Sequence, residues 1–241
     1  MILLRALAYQ IAFLAWTVAL GILGLPLLLA PRRASMHFGT FWSRGVLALL
    51  RVICGLDYEL RGSEHLPAGA AIIAMKHQSA WDAIAAPLLF VDSAAVIKRE
   101  LGWVPFYGWY AVRAGSITVD RGAGSRALKR MLAAAARVKD QGRKIVIFPE
   151  GTRTSVGETR PYLPGVAALY QYLGLPLVPV AVNSGLFWKR RGFLRRPGTV
   201  LVEILPAIAP GLDRRVVMDR LQAEIESATA RLVEEARACG S

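Results

Sequence analysis

The chain of 241 residues is strongly basic and strongly apolar: 30 Lys and Arg against 17 Asp and Glu give a net charge of +13, and 54% of the residues are hydrophobic. The mean hydropathy of +0.39 and the pI near 10.4 favour an anionic membrane surface as partner, and nucleic acid is disfavoured because no motif that reads DNA or RNA accompanies the charge. The length allows one sizeable core, and two cysteines are too few for a disulfide framework or a metal cluster, so we expect no bound metal and a reducing cytoplasmic setting.

Residues 1–55 predict a membrane-anchoring element of two hydrophobic helices. Residues 6–30 are 25 consecutive uncharged positions, more than the roughly 20 that cross the hydrocarbon core of a bilayer. Residues 36–55 mix aromatic and aliphatic side chains with the charged residues Arg44 and Arg51, a pattern that is typical of an interfacial helix. Arginines on both sides of the first run leave two alternatives open, a spanning helix and insertion into one leaflet. We expect residues 56–241 to form a separate domain.

Beyond residue 55, strand and helix patterns alternate, which predicts an α/β fold. The apolar run at residues 68–75 predicts a buried strand. Further strands are predicted at residues 57–61, 94–98, 177–183 and 199–204, with a helix at residues 125–139. Apolar residues at helical spacing from Val217 to Leu232 predict an amphipathic helix that packs on the body of the protein or on the membrane.

His77 and Asp82 lie five positions apart and are candidates for a catalytic pair. A neutral imidazole accepts a proton from a hydroxyl near neutral pH, and a carboxylate orients it and stabilises the imidazolium. Five positions on a helix turn through about 500°, which leaves the side chains roughly 140° apart, so we expect His77 to precede a helix that Ser79 caps. His77 then follows a strand, at the end where open α/β sheets bind ligands. Ser79-x-x-Asp82 also matches a capping box, in which Asp82 satisfies only backbone donors, and both interpretations stay open.

The segment Phe148-Pro-Glu-Gly-Thr-Arg153 follows a second apolar run, residues 144–147, and therefore also falls at the end of a strand. Gly151 allows a tight turn there, and we expect Arg153 to face the same crevice as His77. A planar guanidinium binds a phosphate group through two hydrogen bonds. The two segments together predict base catalysis beside an anion site.

Four segments, taken in order, resemble the four blocks of the glycerolipid acyltransferase family: His77-x4-Asp82 and residues 115–121, 148–153 and 178–183. The resemblance implies a mixed β-sheet flanked by helices and no bound cofactor. It implies transfer of a fatty acyl group from acyl-CoA or acyl-acyl carrier protein to the sn-2 hydroxyl of lysophosphatidic acid, which gives phosphatidic acid. It also implies a catalytic domain on the cytoplasmic face of the cell membrane, where the acyl donor is found.

Three alternatives to this function remain open. In the first, the acceptor is another lysolipid, such as another lysophospholipid or lyso-ornithine lipid, because the chemistry at the hydroxyl is indifferent to the headgroup. In the second, the protein is a membrane lipid-binding protein that retains the fold without turnover. In the third, the reaction passes through a covalent acyl-enzyme on Ser79 or Thr152, an intermediate that we do not expect.

The resemblance assigns His77 as the general base and Asp82 as the residue that orients and charges it. A thiolate leaving group, whose conjugate acid has a pKa of about 8.5, departs without a strong general acid. Backbone amides from Gln78 to Trp81 are candidate donors to the oxyanion. Six residues are implied to bind the acceptor: Lys98, Arg121, Glu150, Gly151, Thr152 and Arg153. For Glu150 three roles stay open: a hydrogen bond to the glycerol backbone, an ion pair with Arg153, and capping of local amides.

The chain departs from the family pattern at two places. Lys76 precedes the histidine where the family commonly has asparagine, and Tyr162-Leu-Pro-Gly165 stands where the family often has a lysine next to a glycine. The basic runs at residues 189–191 and 195–196 are candidates to supply the missing charge, although such runs are usually solvated faces or membrane contacts.

Overall fold

The structure is a computed structural model that describes residues 1–120, 122 and 124–238. The helices within these residues are α1 (Ile2–Leu23), α2 (Arg32–Leu49), α3 (Ala80–Leu89), α4 (Tyr107–Arg113), α5 (Gly124–Asp140), α6 (Gly165–Leu173) and α7 (Arg214–Ala238). The strands are β1 (Leu56–Arg61), β2 (Ile72–Met75), β3 (Ala94–Lys98), β4 (Ile117–Val119), β5 (Ile145–Ile147), β6 (Leu177–Val182) and β7 (Gly198–Ile204).

These strands form one sheet in the order β1-β7-β6-β2-β5-β3-β4. The β6–β7 pair is antiparallel and the other neighbours are parallel. This mixed sheet flanked by helices confirms the predicted fold class. Most predicted strands match the observed ones within one residue, but the run at 68–75 is shortened to β2 because residues 68–69 form a bend.

Helices cover both faces of the central strands. All residues of β2, β5 and β6 are buried, which explains why these segments are continuous apolar runs without alternation. Ile73 and Val178 pack on one face in a core that includes residues of α1, α2 and α3. Ile72 and Leu177 pack on the other face with residues of α5, α6 and α7. The C-terminal helix therefore packs on the body of the protein.

The N-terminal helices form a hairpin. Trp42 Nε1 donates to Thr17 Oγ1 at 3.1 Å, and Trp16 Nε1 donates to the carbonyl of Trp42 at 3.2 Å. The apolar run at residues 6–30 is not one helix, because Gly24 and Pro26 lead the chain from α1 into a 3-10 turn at Leu25–Leu28. Among the described helices, α1 alone is long and apolar enough to cross a membrane by its length and composition.

The hairpin also shares a core with the sheet. Tyr9 of α1 and Val46 of α2 are fully buried in the same cluster as Ile73 of β2. The predicted division at residue 55 stays a prediction, but the packing makes the two parts one hydrophobic unit.

Candidate active site

The two predicted segments meet at one edge of the sheet. β2 ends at Met75 and leads into His77, and β5 ends at Ile147 and leads into Phe148. Because β2 and β5 are adjacent and parallel, their carboxyl ends lie side by side. The imidazole of His77 stacks on the ring of Phe148, with 4.1 Å between the ring centroids and 23° between the planes.

His77 precedes α3 and contacts Asp82 across the turn. His77 Nδ1 lies 2.9 Å from Asp82 Oδ2, and the side chain of Asp82 is fully buried. A carboxylate at Nδ1 favours the tautomer with the proton on that nitrogen, which leaves the lone pair on Nε2 to accept a proton. His77 also lines the large cavity described below.

Asp82 also completes the capping box, but it does not satisfy backbone donors alone, because it also contacts His77; its catalytic role stays a prediction. Its Oδ2 accepts from the N–H of Gln78 at 2.7 Å and of Ser79 at 2.8 Å, while Ser79 Oγ accepts from the N–H of Trp81. The amides of Gln78, Ser79 and Trp81 are therefore already engaged and are not free to donate to an oxyanion. Ser184 Oγ donates to Asp82 Oδ1 from the turn after β6.

The main chain of His77 is held on both sides by the segment after β5. Thr154 donates to the carbonyl of His77 through its N–H at 2.8 Å and its hydroxyl at 3.1 Å. The N–H of His77 donates to Glu150 Oε1 at 3.4 Å. Sequence reasoning missed the positioning roles of Phe148, Thr154 and Ser184, although all three lie within or directly beside the recognised blocks.

A cavity of about 720 Å³ opens beside His77. Four other predicted site residues line it: Lys98, Gly151, Thr152 and Arg153. Neither Lys98 nor Arg153 forms an ion pair with a carboxylate anywhere in the part of the chain that the structure describes. Two cations without a carboxylate partner among the described residues therefore line the same cavity as His77. Apolar side chains from α2 to α5 form most of its remaining wall, among them Phe38, Phe90 and Leu128.

Arg121, a predicted acceptor-binding residue, lies outside the residues that the structure describes. Glu150 is fully buried, and its partners are the N–H of His77 and the ammonium of Lys76 at 3.2 Å. Of its three expected roles, amide capping is the one observed here, and a contact with the acceptor stays a prediction. Burial raises the pKa of Glu150 above its ordinary value, although Lys76 acts in the opposite direction.

The two basic runs have different surroundings. Arg190 Nη2 lies 3.4 Å from Thr152 Oγ1, so the first run reaches the segment that lines the cavity. Arg195 of the second run is buried, with its guanidinium 4.4 Å from the centroid of Trp188 and 5.0 Å from that of Tyr9. Arg195 therefore serves the packing of α1. Among the described residues, no group of three His, Cys, Asp or Glu side chains is arranged to hold a metal ion.

Comparisons with known proteins agree with this architecture. The chain is 38% identical over 167 residues to the 1-acyl-sn-glycerol-3-phosphate acyltransferase of Pseudomonas aeruginosa, which is 69% of this chain and 65% of that protein. It is 31% identical over 166 residues to the enzyme of the same name from Saccharomyces cerevisiae, covering 67% of this chain and 54% of that protein. The matched segments thus span between about half and two thirds of these relatives.

The fold itself matches a solved structure over nearly its whole length. The 1-acyl-sn-glycerophosphate (LPA) acyltransferase of Thermotoga maritima superposes with a TM-score of 0.79 at 20% identity, covering 96% of this chain and 95% of that one. The sequence model of the Acyltransferase family matches residues 57–183, which include the His77–Asp82 pair and the Phe148–Arg153 segment. Since this match spans more than half of the chain, the protein belongs to the Acyltransferase family.

Proposed function

We propose that the protein transfers a fatty acyl group from acyl-CoA or acyl-acyl carrier protein to the sn-2 hydroxyl of lysophosphatidic acid and so makes phosphatidic acid. The observation that carries the proposal is the shared cavity: His77, which is paired with Asp82, lines the same space as Lys98 and Arg153. A base beside these two cations suits an acceptor that carries a hydroxyl and a phosphate. The names of the relatives in Pseudomonas aeruginosa and Saccharomyces cerevisiae support the same acceptor.

In the proposed mechanism His77 Nε2 takes the proton of the acceptor hydroxyl while the oxygen attacks the thioester carbonyl. Asp82 stabilises the imidazolium that forms. The tetrahedral intermediate collapses with cleavage of the C–S bond, and the thiolate leaves and takes the proton from His77. Ser79 is buried and engaged in capping α3, so direct transfer is favoured over a covalent intermediate on Ser79.

The acceptor's phosphate is proposed to bind Lys98 and Arg153, with Arg121 assigned by resemblance alone. A guanidinium and an ammonium that have no carboxylate partner among the described residues are available to bind a dianionic phosphate. The apolar wall from α2 to α5 is suited to fatty acyl chains. We propose that Gly151 and Thr152 line the acceptor's path past the phosphate site.

We also propose that the protein lies on the cytoplasmic face of the cell membrane, attached by the hairpin of α1 and α2. Several large apolar side chains of α1 are exposed, including Leu4 and Ile11 at 71% and 69%. The net charge of +13 favours anionic lipids at the same surface. The proposed thioester donors are cytoplasmic, which supports placing the active site on that side of the membrane.

The test is acyl transfer by purified protein in lipid vesicles, with a thioester donor and three acceptors: lysophosphatidic acid, a headgroup-substituted analogue, and lyso-ornithine lipid. We expect turnover with the phosphate-bearing acceptor, and a loss of about 10²-fold to 10⁴-fold in kcat for His77→Ala. His37→Ala removes an exposed histidine on α2 and serves as the matched control. A preference for lyso-ornithine lipid would support the proposed acyl transfer but would overturn lysophosphatidic acid as the acceptor. Activity that survives in His77→Ala would show that His77 is not the base. A wild-type protein that binds lipid without turnover would favour the alternative of a non-catalytic membrane lipid-binding protein.

A further inference from the structure

A buried cluster of three charges lies directly behind the candidate active site. Lys76 Nζ lies 2.6 Å from Glu226 Oε1 and 3.2 Å from Glu150 Oε1. The side chains of Lys76 and Glu150 are 1% and 0% exposed, and that of Glu226 is 21% exposed. Lys76 has no role in the mechanism proposed above, yet it immediately precedes His77 in the chain.

The cluster is anchored from three elements. The N–H of Lys76 donates to the carbonyl of Val180 at 2.9 Å, which continues the β2–β6 pairing by one residue. Glu226 belongs to α7, and Tyr162 donates its hydroxyl to Glu226 Oε1 at 3.0 Å from the loop before α6. A buried ammonium is costly unless it is paired, so Lys76 is tolerated here because α7 supplies a carboxylate.

The cluster reaches the base through Glu150. Glu150 Oε1 faces both the ammonium of Lys76 and the N–H of His77. Its second oxygen, Oε2, is buried without a hydrogen-bond partner among the described residues, so the contacts with Lys76 and His77, together with the main-chain N–H of Glu150 itself, hold the carboxylate in place. A shift of the carboxylate therefore changes the support of the His77 main chain.

We propose that Lys76 is a positioning residue of the catalytic base, acting through Glu150 on the main chain of His77, with Glu226 as its anchor on α7. This inference rests on the proposed function, in which His77 is the base. It extends the active site to a helix that lies beyond residues 57–183, the segment that defines the family. An asparagine side chain is two atoms shorter than that of lysine and does not span the same distance to α7, so the coupling is specific to the lysine.

The first experiment compares kcat and KM for Lys76→Met and Glu226→Gln in the vesicle assay. Lys76→Met keeps an unbranched apolar stem and removes the cation, and we expect kcat to fall about tenfold or more because a small misplacement of a catalytic group is costly. KM for the acceptor should stay within about twofold, since Lys98 and Arg153 are untouched. Glu226→Gln preserves the size and the Lys76–Glu150 pair, and we expect kcat to fall about threefold to tenfold.

A double-mutant cycle separates positioning from stability. If Lys76 acts through Glu150, then Lys76→Met combined with Glu150→Gln has the kcat of Glu150→Gln alone. If Lys76 only stabilises the fold, Lys76→Met lowers the free energy of unfolding but leaves kcat of the folded enzyme at the wild-type value, and the proposal is overturned. Should Lys76→Met fail to fold because it leaves two carboxylates without a cation, Glu226→Gln decides the question on its own.

A second readout does not depend on turnover. Labelling histidine with ¹⁵N gives separate amide signals for His37, His65 and His77, and hydrogen exchange at each is followed by NMR on the solubilised full chain. We expect faster exchange of the His77 amide in Glu226→Gln, with His37 and His65 unchanged as internal references. Glu235→Gln is the matched control on α7, because Glu235 pairs with Arg61 at the protein surface.

The outcomes distinguish the two proposals. Loss of kcat and faster His77 exchange in Glu226→Gln, but not in Glu235→Gln, support the positioning role. Wild-type kcat and wild-type exchange in Glu226→Gln overturn it while the proposed function stands. If the wild type transfers no acyl group to any acceptor, the proposed function fails, and the exchange rates still decide whether Lys76 and Glu226 position His77.

Discussion

At the residue scale, Asp82 connects catalysis to the local fold. Its carboxylate accepts hydrogen bonds from the imidazole of His77, from two main-chain amides and from Ser184. With four donors around one buried group, the carboxylate is fixed and its charge is compensated without a cation among the described residues. The same contacts that begin α3 therefore also orient the proposed base.

The capping and catalytic contributions are separable by mutation. We expect Asp82→Asn to lower kcat by about 10³-fold or more, because the amide neither stabilises an imidazolium nor enforces the tautomer. Ser79→Ala removes only the hydroxyl that caps Trp81, and we expect it to lower the free energy of unfolding by about 1 kcal/mol while kcat stays near that of the wild type. Steady-state kinetics and urea unfolding of the solubilised protein measure the two effects. Equal losses of kcat in both variants would mean that capping alone explains the pattern.

At the element scale, Asp92 ties three parts of the chain together. It follows α3, and its carboxylate lies 2.6 Å from Arg32 Nη1 at the start of α2 and 2.9 Å from Arg143 Nε before β5. Its backbone is left-handed, with φ of 56°, a conformation that Asp and Asn tolerate better than most residues. Burial acts to raise the pKa of Asp92, but the two guanidinium groups outweigh it and hold the pKa below its ordinary value of 3.8.

Asp92→Asn tests this junction because it removes the charge and keeps the backbone preference. Since the folded-state pKa lies below the unfolded-state pKa, the carboxylate contributes stability at neutral pH, and the contribution is lost as pH falls through the folded-state pKa. We expect the free energy of unfolding of the variant to be lower by on the order of 1 kcal/mol at neutral pH, a figure reduced for the partial exposure of Asp92. Urea unfolding at about pH 7 and about pH 3 measures the difference, which should shrink in acid. A difference independent of pH would exclude the charge as its cause.

Local patterns predict the elements better than they predict the contacts between them. The strand β3 has its predicted bounds because the apolar stretch ends at a charged residue on one side and at a polar turn on the other. The His77–Asp82 pair was also predictable, since its partners are five residues apart. The partner of Lys76 was not, because Glu226 lies 150 residues away and is brought there only by the packing of α7. Ser184 is likewise 102 residues from Asp82.

At the scale of the whole molecule, α1 has two faces with different surroundings. One face packs into the protein: Tyr9 is fully buried, and its ring contacts Trp188 edge-on at 6.0 Å. Gln10 accepts a hydrogen bond at 2.9 Å from the buried Arg195. The other face exposes large apolar side chains, including Ile11 at 69%. We infer that α1 is part of the protein's core as well as its contact with the bilayer.

Substitutions on the buried face of α1 should therefore lower the stability of the fold, and substitutions on its exposed face should weaken binding to membranes. Tyr9→Ala empties a buried site, and we expect it to lower the free energy of unfolding by about 3–5 kcal/mol. Tyr9→Phe is the matched control, and it should be neutral or slightly stabilising because the hydroxyl of Tyr9 is buried without a hydrogen-bond partner among the described residues.

Ile11→Asn, on the exposed face, should leave unfolding in detergent nearly unchanged and weaken binding to vesicles that contain anionic lipid, because it removes apolar area from the bilayer contact. Urea unfolding and vesicle sedimentation measure the two properties. If Tyr9→Ala unfolds like the wild type, α1 is a detachable anchor, and residues 24–241 should then fold without it. If it does not, the membrane contact and the active site belong to one cooperative unit.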